Sequence, residues 1–181
     1  MANELSGPEW CTRFPASDSV DRLMVPFRDK VKRFLDALGA GDAAVSIGAT
    51  FRPKQLAYLM HYAWQIANRK IAPRAVPPMS GVEINWVHPT VDESVAAAAA
   101  MVAAYGIAYE PLLTSRHTQG LAIDLEIAWV GDLAIADAKG HHLAVDTGPR
   151  DGTNQALWGI GASFGVMKLA NDPLHWSSDG H

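Results

Sequence analysis

Ser115-Arg116-His117-Thr118-Gln119-Gly120-Leu121-Ala122-Ile123-Asp124-Leu125-Glu126-Ile127 is the stretch on which the fold turns. Its second half alternates. Leu121, Ile123, Leu125 and Ile127 point one way, and Ala122, Asp124 and Glu126 the other, the two-residue period of a strand with one face on a core. Asp124 therefore falls on the face opposite that core. Ahead of the strand, Gly120 lets the chain turn tightly out of a loop, so that His117 and Asp124 can face one point in space.

Outward from this strand, Pro26 sits at the start of a helix in which Phe27, Val31, Phe34, Leu35 and Leu38 recur at helical spacing until Gly39-Ala40-Gly41 stops it. Residues 43–51 read as a strand, and Arg52-Pro53 opens a second helix whose Leu56, Leu59, Met60, Ala63 and Ala67 share one face, expected to pack on the sheet. Thr90 and the acids Asp92 and Glu93 begin a third helix that ends at Tyr105-Gly106, with a short strand expected over residues 107–109. Residues 133–145 read as a hairpin turning at Lys139-Gly140, residues 154–165 as a last helix and residues 174–176 as a final strand. The result is an α+β domain in which an antiparallel sheet carries the chemistry on one face and three or four helices cover the other.

Bulk properties narrow the function classes. A chain of 181 residues with 49% hydrophobic and 19% charged residues suits one globular domain with a continuous core, residues 1–181, in which residues 1–20 form an irregular segment rich in Pro, Gly and Ser and pinned by Trp10 and Phe14. The formal net charge is -4 and the basic residues are scattered, so no basic stripe offers itself to nucleic acid or to an anionic membrane surface. Cys11 is the only cysteine, which leaves imidazole and carboxylate as the metal ligands these residues can supply. The first residues lack a cationic leader and an apolar stretch, and no later run is apolar enough to span a bilayer; the expectation is cytoplasmic synthesis without membrane insertion.

His117 and Asp124 gain weight from the late Asp172-Pro173-Leu174-His175-Trp176. Catalytic zinc takes three protein ligands and keeps a fourth position for water, and two histidines with one aspartate meet that count if His175 arrives from a neighbouring strand. A serine-hydrolase reading of Ser115, His117 and Asp124 fails, because a nucleophile and base two residues apart in a loop rarely reach the needed geometry. Glu126, on the same side as Asp124, is a candidate partner for a ligand histidine. Trp158 and Trp176 are candidates for lining a groove, with core packing the better assignment for Trp158. His141 and His142 are adjacent and point to opposite faces, which disfavours joint chelation, and His61, His88 and His181 lack a ligand-like context. The glycines of residues 159–165 fall inside a helical pattern, not after a strand, so they do not make a nucleotide loop.

Ser115, His117, Gly120, Ala122 and Asp124, followed by Asp172 and His175, resemble the Ser-x-His-x-x-Gly-x-Ala-x-Asp and acid-x-x-His motifs of the zinc peptidases of bacterial cell walls. That family includes D-alanyl-D-alanine carboxypeptidases and dipeptidases and the L-alanyl-D-glutamate endopeptidases of phage lysis enzymes, with a hedgehog/D,D-peptidase-like fold. Gly48-Ala49-Thr50-Phe51-Arg52 loosely resembles the family's arginine segment, and the similarity runs over about residues 45–176. The resemblance implies one Zn2+ held by His117, Asp124 and His175. It also implies Asp172 as general base, Arg52 as a clamp for a substrate carboxylate or oxyanion, and Ser115 steadying the substrate oxygen. An aspartate at position 172 tilts the substrate toward the endopeptidase branch. The implied protein is a monomeric, endolysin-like peptidase that cuts a peptidoglycan stem peptide after release to the wall; the alternatives are a D-alanyl-D-alanine carboxypeptidase and a non-catalytic zinc-containing binding domain.

Overall fold

The computed structural model describes residues 4–181. In chain order its elements are β1 (Glu4–Leu5), α1 (Phe27–Ala40), β2 (Ala44–Ala49), α2 (Lys54–Ala67), β3 (Ile84–Asn85), α3 (Val91–Tyr105), β4 (Ala122–Ala128), β5 (Leu133–Ala136), β6 (His142–Val145), α4 (Gln155–Phe164), β7 (Met167–Lys168) and β8 (His175–Ser177), an α+β arrangement. They divide into two compact units. One comprises the chain up to Ala16 together with Arg52–Ser115; the other comprises Ser17–Phe51 and Arg116–His181. The buried apolar residues form two clusters, one in each unit, where bulk composition suggests a single continuous core.

The second unit is built on a four-stranded antiparallel sheet in the order β2-β4-β8-β7, with β5 and β6 paired as a separate hairpin. The alternation holds from Ile123 onward: Ile123, Leu125 and Ile127 are buried, Glu126 is exposed, and Asp124 is half-buried on the opposite face, whereas Leu121 is only half-buried and Ala122 is buried too. Behind the sheet, α1 contributes Phe27, Val31, Phe34 and Leu38, and α4 contributes Leu157, Ile160 and Phe164. Full burial of each such side chain is worth roughly 1.5–3 kcal/mol. Two helices, not three or four, join the sheet in this core. Trp176 of β8 is wholly buried in it, against the ring of Phe34 at 5.4 Å, and is not a groove residue. Gly161 makes that packing possible: a Cβ there would lie 2.7 Å from the Trp176 ring and 2.8 Å from the carbonyl oxygen of Val166. Asn154 caps α4 by accepting from the N–H groups of Ala156 and Leu157.

In the first unit, α2 and α3 pack on each other, and the apolar face of α2 is buried in this unit's own core with Trp10, Trp86, Ala98 and Met101, not among the residues of the four-stranded sheet's core. Thr90 and Glu93 cap α3 reciprocally, the side chain of each accepting from the other's backbone N–H. The N-terminal segment is more regular than its Pro and Ser content suggests. β1 pairs in parallel with β3, and Pro8–Thr12 forms a 3-10 turn that buries Trp10. The strand expected over residues 107–109 is absent; without a partner strand, that apolar run stays irregular. Among the described residues no helix is long and apolar enough to cross a membrane.

Candidate metal centre

Three local features bring His117, Asp124 and His175 together. Antiparallel register sets Asp124 of β4 directly opposite His175 of β8. On the other edge of β4, the pairing with β2 slips between Ile47 and Ala49, a bulge that leaves Gly48 facing the Cβ of Asp124 at 3.6 Å from its own ideal Cβ position. His117 lies on a 3-10 turn, His117–Gln119, closed by Gly120 at φ 68°. Gly120 is needed twice over, since a Cβ there would also meet the carbonyl oxygen of Arg22 and the backbone nitrogen of Met24, each at 3.2 Å.

Nε2 of His117, Nδ1 of His175 and Oδ1 of Asp124 form a nearly equilateral triangle, with edges of 3.1 Å between the two nitrogens and 3.2 and 3.3 Å from each to the carboxylate. Donors bound tetrahedrally at about 2.0–2.2 Å from an ion lie roughly 3.3–3.6 Å from one another, so the triangle has close to the size a zinc-like ion requires. Hydrogen atoms alone satisfy such a triangle poorly, because each proton serves one edge and three lone pairs converge. A divalent cation serves all three. The cluster can therefore hold a metal ion, and its donor set of two imidazoles and one carboxylate suits a borderline metal better than a hard one. Both histidines are buried, while the Asp124 side chain retains 26% exposure and marks the open side.

An outer partner fixes the His175 ring. Nε2 of His175 donates to the backbone oxygen of His181 at 3.2 Å, which leaves Nδ1 as the lone-pair nitrogen. That oxygen is placed by a small network: Oγ of Ser177 accepts from the N–H groups of Gly180 and His181, and Asp179 pairs with Arg116 through both carboxylate oxygens. Nδ1 of His117 is buried without a partner. Glu126 does not fill that role; it lies exposed in β4 opposite Ser46 and makes no hydrogen bond to either histidine.

Charge follows the geometry. Burial by itself raises the Asp124 carboxyl, but the hydrogen bonds and charge of His117 and His175 prevail and hold it well below the usual carboxylate range. For His175, burial acts downward, and the Asp124 carboxylate, the His181 oxygen and Asp172 together push it above the ordinary imidazole value.

Asp172 lies exposed in the turn before β8, where its Oδ1 accepts from the N–H of Leu174 at 3.2 Å. Lys168 of β7 holds that turn from inside. Its ammonium donates to the backbone oxygens of Leu169 at 2.8 Å, His175 at 3.1 Å and Asp172. Burial lowers the Lys168 pKa against the opposing pull of Asp172 and Asp124. Neither Lys168 nor the 177–181 tail stands out in the sequence; a lone lysine in a two-residue strand has no spacing signature, and backbone oxygens leave none. Arg52 and Ser115 both belong to the first unit, at the borders of its long segment, and each has interaction partners there or elsewhere in the chain. Trp158 is half-buried against the core and donates to the carbonyl of Gly152, and His141 pairs with Asp137 in its hairpin turn. Compared with family models, with curated proteins and with solved structures, the chain matches none.

Proposed function

We propose that the chain is a zinc peptidase of bacterial cell walls with a D,D-peptidase-like fold, hydrolysing a stem-peptide amide bond in the manner of an L-alanyl-D-glutamate endopeptidase. The observation that carries this is the triangle of two buried imidazole nitrogens and one half-buried carboxylate oxygen, with edges close to those between the donors of a zinc-like ion. A zinc ion held there would supply Lewis-acid chemistry, activating a water and polarising a scissile carbonyl.

The chain's own residues divide the remaining work. His117 through Nε2, His175 through Nδ1 and Asp124 through Oδ1 would hold the ion, and the His181 oxygen keeps the His175 ring from rotating. Asp172 is the proton carrier: with Oδ1 committed to the Leu174 N–H, Oδ2 is the oxygen that takes a proton and returns it to the leaving amine. Lys168 steadies that carboxylate through the turn's carbonyls and lies close enough to Asp124 and Asp172 to feel both charges.

The experiment is digestion of purified peptidoglycan, with new termini identified by mass spectrometry, run beside metal analysis of three proteins. The native chain should bind one zinc and release new D-glutamyl amino termini. Asp172→Ala should keep the zinc and lose hydrolysis, and His117→Ala should lose both. Free D-alanine in place of new D-glutamyl termini would assign a carboxypeptidase, and full zinc occupancy without turnover would assign a binding domain. Equal metal loss in both variants would remove Asp172 from the role of base.

A further inference from the structure

The first unit contains a cleft of about 390 Å3 to which the metal donors contribute nothing. Its walls are mainly apolar, with Ile66 at the end of α2, Ile71 beyond it, Val87, Val91 and Val95, the last two one turn apart on α3, beside the polar His88, Thr90 and Ser94. Val87 and Val91 keep 48% and 59% of their surface exposed, apolar area left uncovered at the mouth. Two arginines line the same cleft, Arg69 and Arg74, and no Asp or Glu does, in a chain whose formal net charge is -4.

The two arginines differ. Arg69 has φ 54°, a left-handed backbone that favours Gly or Asn, and its guanidinium is tied to Asp92 Oδ1 at 2.8 Å. Its charge is compensated. Arg74, in the 3-10 turn Pro73–Ala75, makes no hydrogen bond or ion pair with any described residue. His88 is also engaged, its Nε2 lying at 3.0 Å from Oγ of Ser6 and 3.1 Å from the Ser6 backbone oxygen.

We propose that this cleft binds a small aliphatic carboxylate, its hydrocarbon part against Ile66, Ile71, Val87 and Val91 and its carboxylate on Arg74. The volume lies within the roughly 300–1,000 Å3 of small-molecule sites. Aliphatic walls select a hydrocarbon body, and the planar guanidinium fork matches a carboxylate through two parallel hydrogen bonds. One uncompensated cation calls for a single negative charge. Neither the metal centre nor the peptidase activity is needed for this site.

The test is titration of the full-length protein, followed by amide chemical shifts, with octanoate, n-octyl phosphate and 1-octanol as probes. Octanoate should saturate, moving amides of residues 66–74 and 87–95, and should bind more tightly than either other probe. Arg74→Gln should weaken octanoate by about tenfold or more while leaving octanol unchanged, and Arg74→Lys, which keeps the charge without the fork, should fall between. Arg74 is exposed, so unchanged amide shifts away from the cleft will show that the variants fold. Absence of saturation by octanoate, octanol binding as tightly, or an Arg74→Gln variant with native affinity would each overturn the proposal. Tighter binding of octyl phosphate would overturn the carboxylate assignment.

Discussion

Zinc should stabilise this protein against heat by an amount that Asp124 largely controls. The three donor atoms already stand 3.1–3.3 Å apart, so binding requires little reordering of the chain and appears almost fully as native-state stabilisation. At free zinc one hundred times the dissociation constant, mass action adds about 2.7 kcal/mol. For a chain of 181 residues, at roughly 2–4 °C per kcal/mol, that raises the melting temperature by about 5–11 °C. Asp124→Asn preserves shape and burial but removes the one anionic donor, leaving two imidazoles and a neutral amide. If the dissociation constant rises about a hundredfold, the increment at the same zinc concentration falls to about 0.4 kcal/mol, or 1–2 °C. Differential scanning calorimetry of both proteins, after chelation and across a zinc series, measures each increment against its own metal-free baseline. A variant that keeps the native increment, or a native protein with none, would refute a site built on this triangle.

Two further outcomes follow from the surroundings of the site. In the metal-free protein His175 has a raised pKa, so its contribution to stability is complete below the ordinary imidazole value of about 6.5 and is lost as pH rises through the folded value. Asp124 has a depressed pKa, so its contribution is present above about 3.9 and is lost as pH falls toward its folded value. Relative to His175→Gln, urea midpoints of the chelated native protein should therefore fall from pH 6 to 8; a rise over that range would contradict the Asp124–His175 contact, whereas with zinc the rise is expected because the ligands must shed protons. Lys168→Met removes the ammonium shared by three backbone oxygens and should cost about 1–3 kcal/mol in urea unfolding, with hydrolysis falling further than zinc affinity. Unchanged stability would show that the turn before β8 holds itself.

The strand 122–128 and the placement of Asp124 away from the core were legible because a period of two is written directly in Leu121, Ile123, Leu125 and Ile127. Helices α1, α3 and α4 were legible for the same kind of reason, with Thr90 and Gly106 marking the ends of α3 and Asn154 and Gly165 those of α4. The allegiance of α2 was not, since an apolar stripe states that a helix is covered and not by what; its cover is α3 and Trp10. The parallel pairing of Glu4–Leu5 with Ile84–Asn85 joins residues about eighty apart through two-residue strands, too short to show any period.

By itself the sequence determined the donor types and the order in which the chain supplies them: an imidazole, a turn glycine, a carboxylate on the outer face of a strand, and a distant second imidazole. Only the tertiary structure decided that β8 pairs with β4 in the register that sets His175 opposite Asp124, that Trp176 turns inward, and that Lys168 and the His181 oxygen support the turn and the ring. Side-chain type and local period are properties of neighbours along the chain. Register between remote strands is instead fixed by which faces must be buried together, and a slip of one residue would exchange His175 with Trp176, moving the imidazole into the core and the indole to the site.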